Sequence, residues 1–129
     1  MPRFVLLKHT LPADSPRATH WDFMLERDGL LRTWALEAEP ASGREISAEQ
    51  LPDHRLAYLD YEGEVSGGRG TVMRLDRGSY SATHEDQRLL RVELHGEKLV
   101  GAATLTRLAD DQRWSFAFAS DSTSIASAF

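Results

Sequence analysis

Three residues near the start of the chain, His9, His20 and Asp22, could share a metal ion. The chain has only five histidines, and two of them, His9 and His20, precede Asp22 within one short stretch. In "HWDFMLE" (His20–Glu26) polar and apolar residues alternate, as on a β-strand. His20, Asp22, Met24 and Glu26 then share one face, and Trp21, Phe23 and Leu25 form an apolar core face. An imidazole and a carboxylate two apart on a strand lie about 6–7 Å from each other. His9 supplies a third ligand if the first two strands are neighbours. Two histidines and one carboxylate leave coordination positions open, the pattern of a catalytic Zn, Mn or Fe site rather than a closed structural one. The same pair could also decorate an ordinary solvated face.

A second pair lies in "DHRLAYLDYEG" (Asp53–Gly63), where His54 and Tyr58 are four apart and share a face if the segment is extended. Histidine can act as a general acid or as a donor to a phosphoryl oxygen, and tyrosine as a donor. A satisfied core tyrosine beside a surface histidine would leave the same pattern. His84 and His95 have no such companions and read as surface or turn residues.

The elements that must position these residues are mostly strands. "RFVLL" (Arg3–Leu7) reads as a buried first strand. His20–Glu26 and Leu30–Leu36 flank Asp28-Gly29, a strong hairpin signal. Arg55–Tyr61 is a further strand candidate. Gly70–Leu75 and Ser79–His84 flank Asp76-Arg77-Gly78, which reads as a second hairpin turn, and "RLLRVEL" and "KLVGAATLTRL" flank His95-Gly96-Glu97, a third. Arg113–Ala119 closes the series. One short helix is expected near Ser47–Leu51, with Ser47 as N-cap and Gln50 completing a capping box. Leu11–Thr19 and Glu37–Glu45 read as loops. The pattern predicts a mainly β fold, a compact antiparallel barrel of about eight strands with one or two short helices. Residues 1–129 are expected to form a single domain with a loose tail from about 120.

The bulk composition is that of a soluble globular protein, 41% hydrophobic and 27% charged over 129 residues. No apolar run approaches the roughly 20 residues of a membrane helix. The N-terminal apolar run is too short for a secretory signal, so a cytoplasmic protein is expected. The absence of cysteine excludes thiolate nucleophiles and cysteine zinc sites, so any metal must be held by nitrogen and oxygen. A net charge of −5 argues against bulk electrostatic binding of nucleic acid but leaves room for a small site that takes one strand end.

Six stretches in register resemble the 3'-phosphoesterase domain found at the N-terminus of bacterial DNA ligase D. That family carries F-V-x-x-K-H, H-Y-D-x-R-L-E and D-G-x-L-x-S-W-A. This chain has Phe4 to His9, "HWDFMLE" and "DGLLRTWA" (Asp28–Ala35). D-H-x-L-x-Y-x-D-F-E-G appears as "DHRLAYLDYEG", and the G-T-V and D-R-G elements as "GTVMRLDRGSY" (Gly70–Tyr80). L-x-G-x-K-L-x-G-x-x-x-L-x-R appears as "LHGEKLVGAATLTR" (Leu94–Arg107). The resemblance runs from Phe4 to about Phe116. It implies a barrel-like fold and a divalent metal, manganese preferred and zinc acceptable, on His9, His20 and Asp22. It implies phosphoester hydrolysis at the 3' ends of primer-template DNA or DNA/RNA hybrids in end healing, with ligase and polymerase repair proteins as partners. His54 would contact the scissile phosphate or act as general acid, and Tyr58 would support it. A monomer without membrane association is expected.

Four departures bear on activity. The loop between the first two histidines, Thr10–Thr19, is about five residues longer than in the family. The family arginine of H-Y-D-x-R-L-E is Met24, which removes a charge-assisted contact normally worth about 1.5–3 kcal/mol. The glutamine before K-H is Leu7, and the basic residue after W-A-x-P is missing. Arg17, Arg32, Arg55 and Arg69 are the candidates to replace the lost phosphate grip, Arg17 foremost because it precedes His20 in the longer loop. The alternative is a metal-binding barrel that has altered or lost this activity and binds a strand end or a repair partner.

Overall fold

The computed structural model describes residues 1–109 and 112–121. Nine strands follow one another: β1 (Arg3–Thr10), β2 (His20–Arg27), β3 (Leu30–Leu36), β4 (Glu45–Arg55), β5 (Gly63–Glu64), β6 (Thr71–Glu85), β7 (Leu89–Gly96), β8 (Val100–Arg107) and β9 (Arg113–Ser120). Their order in the sheet is β1-β2-β3-β4-β9-β8-β7-β6-β5, and β1 also pairs with β6. Eight strands therefore close into a barrel-like ring, and β5 is a short addition on β6. All strand pairings are antiparallel. The mainly β antiparallel fold read from the sequence is the fold observed. No helix among the described residues is long and apolar enough to cross a membrane. Most of the expected tail, from residue 122 on, lies outside the described residues.

Period-two alternation builds the inside of the ring. Phe4 and Leu6, Phe23 and Leu25, Trp34 and Leu36, and Phe116 and Phe118 point into one cluster drawn from all eight ring strands. Phe23 meets Phe116 edge-on at 5.2 Å between ring centroids, and Trp34 meets Trp114 at 5.6 Å, geometries that favour aromatic pairs. A second, smaller cluster lies on the outer face of β1–β3: Val5, Leu7, Met24 and Leu31, covered by Leu59, Val65 and Val72, with Leu56 and Tyr58 packed against it. The first strands are thus buried on both faces, which is why Phe4–Leu7 reads as an unbroken apolar run.

Three sequence expectations are corrected. Ser47–Leu51 is part of β4, not a helix. Ile46 and Ala48 point inward at 4% and 6% exposure, and this strand must bridge β3 and β9 to close the ring, so tertiary pairing overrides the capping signal. Arg55–Tyr61 is not a strand: Leu56–Leu59 form a 3₁₀ turn whose i, i+3 spacing puts Leu56 and Leu59 on one side, against the outer cluster. Asp76-Arg77-Gly78 is no turn but the middle of the 15-residue β6. Asp76 accepts the backbone N–H groups of Glu97, Lys98 and Leu99 at 2.9, 3.1 and 2.7 Å and so fastens the real turn between β7 and β8. Gly78 is required by close approach, since a Cβ there would lie 2.1 Å from the His95 carbonyl oxygen. The Asp28-Gly29 hairpin is present, with both residues at positive φ as a two-residue turn needs.

Candidate metal centre

Antiparallel register brings the three candidate ligands together. His9, at the end of β1, is the Cα partner of His20, at the start of β2, and Leu7 is the partner of Asp22. Asp22 shares the outer face with His20 because they are two apart. The imidazole centroids are 4.8 Å apart. One ligand atom from each residue can be chosen so that all lie within 4.8 Å of one another. Asp22 is 2% exposed and His20 7%, so this is no solvated face.

Each ring has one nitrogen committed to the backbone. His9 Nε2 lies 2.6 Å from the Arg69 carbonyl and His20 Nδ1 lies 3.0 Å from the Ala18 carbonyl. A carbonyl can only accept, so those nitrogens donate, and in the neutral rings His9 Nδ1 and His20 Nε2 carry lone pairs. These face the carboxylate: His9 Nδ1 is 3.5 Å from Asp22 Oδ2 and His20 Nε2 is 3.2 Å from Asp22 Oδ1. The second approach lacks hydrogen-bond geometry, and Asp22 Oδ1 is buried without a hydrogen-bond partner. Lone pairs converging on a buried anion need a positive charge between them, a proton or a cation. The donor set therefore fits a divalent ion, with the two carbonyls acting as the outer contacts that fix histidine ligands. Without an ion, the hydrogen bond to Asp22 is the main influence raising the His9 pKa, against the effect of burial. Burial pushes the Asp22 carboxyl up, but the imidazoles of His20 and His9 outweigh it and hold it below its ordinary value.

Gly70 makes the Arg69 contact possible. It sits at φ +83°, and a Cβ there would lie 2.0 Å from the Thr10 carbonyl oxygen, so only glycine lets this segment press against the end of β1.

His54 and Tyr58 also meet, ring to ring at 5.7 Å and 68°, and Tyr58 stacks edge-on against Tyr61 at 5.9 Å. His54 Nδ1 is 2.9 Å from the Pro52 carbonyl, which leaves Nε2 available. Tyr58 packs on the outer cluster that buries Leu7 and Met24, so this pair and the metal nest border one apolar layer. His54 lies at the end of β4 and Tyr58 in the 3₁₀ turn, not on one extended strand as the spacing suggested.

The arginines divide. Arg17 lies beside the nest: its charge opposes protonation of His9, its Nη2 is 3.1 Å from Glu49 Oε1, and it lines a groove of about 680 Å³ together with His20. Arg69 reaches the nest through its carbonyl, while its guanidinium is held by Ser66. Arg32 is not brought there. It stacks over Trp34 at 5.2 Å and pairs with Glu85 at 3.2 Å, on the inward face of β3. Arg55 is the Cα partner of Leu30, at the hairpin end of β2–β3, the end of β2 away from His20. Met24 is 1% exposed, within the outer cluster. His84, read as unpartnered, sits 2.8 Å from Asp86 and lowers that carboxyl to about 2. Glu49, Arg113 and the two backbone carbonyls were not singled out from the sequence. They reach the site through strand register and loop path, which leave no local signal.

The fold and nest together define a barrel-like β protein with an open His–His–Asp cluster on its outer wall. The chain belongs to the DNA ligase D 3'-phosphoesterase domain family, which it matches over residues 12–107. It is 33% identical over 112 residues to the multifunctional non-homologous end joining protein LigD of Pseudomonas aeruginosa, covering 79% of this chain and 13% of that protein. It is 33% identical over 120 residues to the protein of the same name from Mycobacterium bovis, covering 86% and 15%. The match to that of Mycolicibacterium smegmatis is 30% over 122 residues, covering 80% and 15%. The chain thus spans about one seventh of the length of these relatives.

Proposed function

We propose that this protein is a divalent-metal phosphoesterase that cleans the 3' ends of DNA or RNA primer strands during DNA repair, in the cytoplasm and alongside ligase and polymerase partners. The observation that carries the reading is the nest itself: two oriented imidazoles around a buried carboxylate oxygen that has no hydrogen-bond partner. His9, His20 and Asp22 would hold the ion, with manganese preferred over zinc. When bound, such an ion polarises a phosphoryl oxygen. His54, with Nδ1 tied to Pro52, presents Nε2 to protonate the departing 3' oxygen as water adds to phosphorus and the P–O3' bond breaks. Tyr58 holds that imidazole edge-on. The test is manganese-dependent release of phosphate from a 3'-phosphorylated primer-template. The wild type should turn over and His20→Ala should not; equal rates, or none in either, would remove the proposal.

One observation favours a second reading, a strand-end or repair-partner binding module without hydrolysis. The position of the family's phosphate-gripping arginine is here a buried methionine, Met24. A melting temperature raised by manganese or zinc, with no 3' end processed, would favour it.

A further inference from the structure

We infer that the groove leading away from His20 across β3, β4 and β9 is a phosphodiester track for the strand behind its 3' end, gripped by Arg17 of the long loop and Arg113 of β9. The inference rests on the strand-end reading above but has its own test.

The groove meets the metal nest at His20, the one nest residue that lines it. It reaches Arg113, three strands further round the ring. Three inter-strand spacings span about 14 Å, room for two or more nucleotides. Ala35 and Ser47 contribute to its lining, small side chains that let a sugar–phosphate backbone lie close to the sheet. Both arginines are set beside one residue, Glu49. Arg17 pairs with Glu49 at 3.1 Å, and Arg113 is the Cα partner of Glu49, so their side chains rise from the same face. Arg113 forms no ion pair of its own among the described residues.

The Glu49 carboxylate, held by Arg17 with Arg113 on the neighbouring strand, therefore occupies the place a phosphate would take beside these residues. Its pair with Arg17 is about half exposed on both sides, 45% and 51%, and such pairs are weak and easily exchanged. Glu37 also lines the groove, so the two arginines and two glutamates balance, and removing one carboxylate tips the balance towards an anionic ligand. The site thereby moves its phosphate grip from β2, where Met24 is buried, to residues on the other side of His20.

The test is fluorescence anisotropy of a labelled single-stranded DNA of about eight nucleotides, ending in a 3'-hydroxyl, at low salt and with chelator present. The Arg17→Ala/Arg113→Ala double variant should bind roughly tenfold more weakly, and its salt slope should shrink by about 1.4, two single-strand phosphate contacts. Glu49→Gln should bind a few-fold more tightly. Double-variant and Glu49→Gln affinities equal to wild type, or weaker binding by Glu49→Gln, would overturn the track. Because Glu49→Gln predicts a gain, misfolding of the double variant cannot imitate support. A wild type that binds as described but hydrolyses nothing would overturn the enzyme reading and leave the track standing.

Discussion

The two faces of β2 make a sharp contrast. Inward, Trp21, Phe23 and Leu25 continue an apolar core that runs round the ring. Outward, the strand passes from Met24, sealed in an apolar layer, to Asp22 and His20, equally buried but polar. One face lowers free energy by excluding water from hydrocarbon. The other keeps a carboxylate out of water, which costs free energy unless a cation or proton compensates. Burial thus measures stability on one side of the strand and readiness for a ligand on the other.

The largest effect should come from breaking the inner face. Phe23→Ala, which strips contacts with Phe4 and Phe116, should cost about 3–5 kcal/mol in chemical denaturation, while metal titration of the surviving fold stays near wild type. Asp22→Ala should do the reverse. Metal at a hundredfold excess over Kd should stabilise the wild type by about 2.7 kcal/mol, read as a rise in melting temperature, and this rise should vanish in the variant. Met24→Arg sharpens the contrast, because it puts a charge into the apolar half of the outer face. Overpacking should cost about 1–3 kcal/mol, and KM for a 3'-phosphorylated end should fall if the guanidinium reaches solvent along its stem.

The smallest effect is on pH. His9 is raised in the folded, ion-free protein, so its contribution is complete below the ordinary histidine value near 6.5 and fades as pH rises through the higher folded value. Asp22 is lowered, so its contribution is present above the ordinary aspartate range and is lost as pH falls through the lowered value. Ion-free melting temperature should therefore decline on both sides of an acidic-to-neutral plateau, and the alkaline decline should disappear when His9 is replaced by Gln.

The inner face was legible because alternation is local: a period of two names Phe23 and Leu25 as core partners with no knowledge of the fold. Half of the outer face was legible too, since His20-x-Asp22 is a local pattern and His9 needs only neighbouring strands. The rest depends on distant segments. Ser47 and Gln50 carry a sound helix signal, and only the need to join β3 to β9 overrides it. Asp76 and Gly78 look like a turn because their chemistry serves a turn, but that turn belongs to Glu97–Leu99 across the sheet. The Arg69 and Ala18 carbonyls that orient the imidazoles have no side-chain signature at all. Glu49 and Arg113 meet only through pairing between strands far apart in sequence.

Ring closure has a further consequence for how this chain meets other molecules. A sheet that bites its own tail confines free amide and carbonyl groups to short margins: β5 at Gly63–Glu64, β6 beyond Ser79 and β4 beyond Glu49. Edge-to-edge templating, the route to fibrils and to β-augmentation by a peptide, has only these margins to grasp. Most of what docks here must read side chains on the wall rather than extend the ladder.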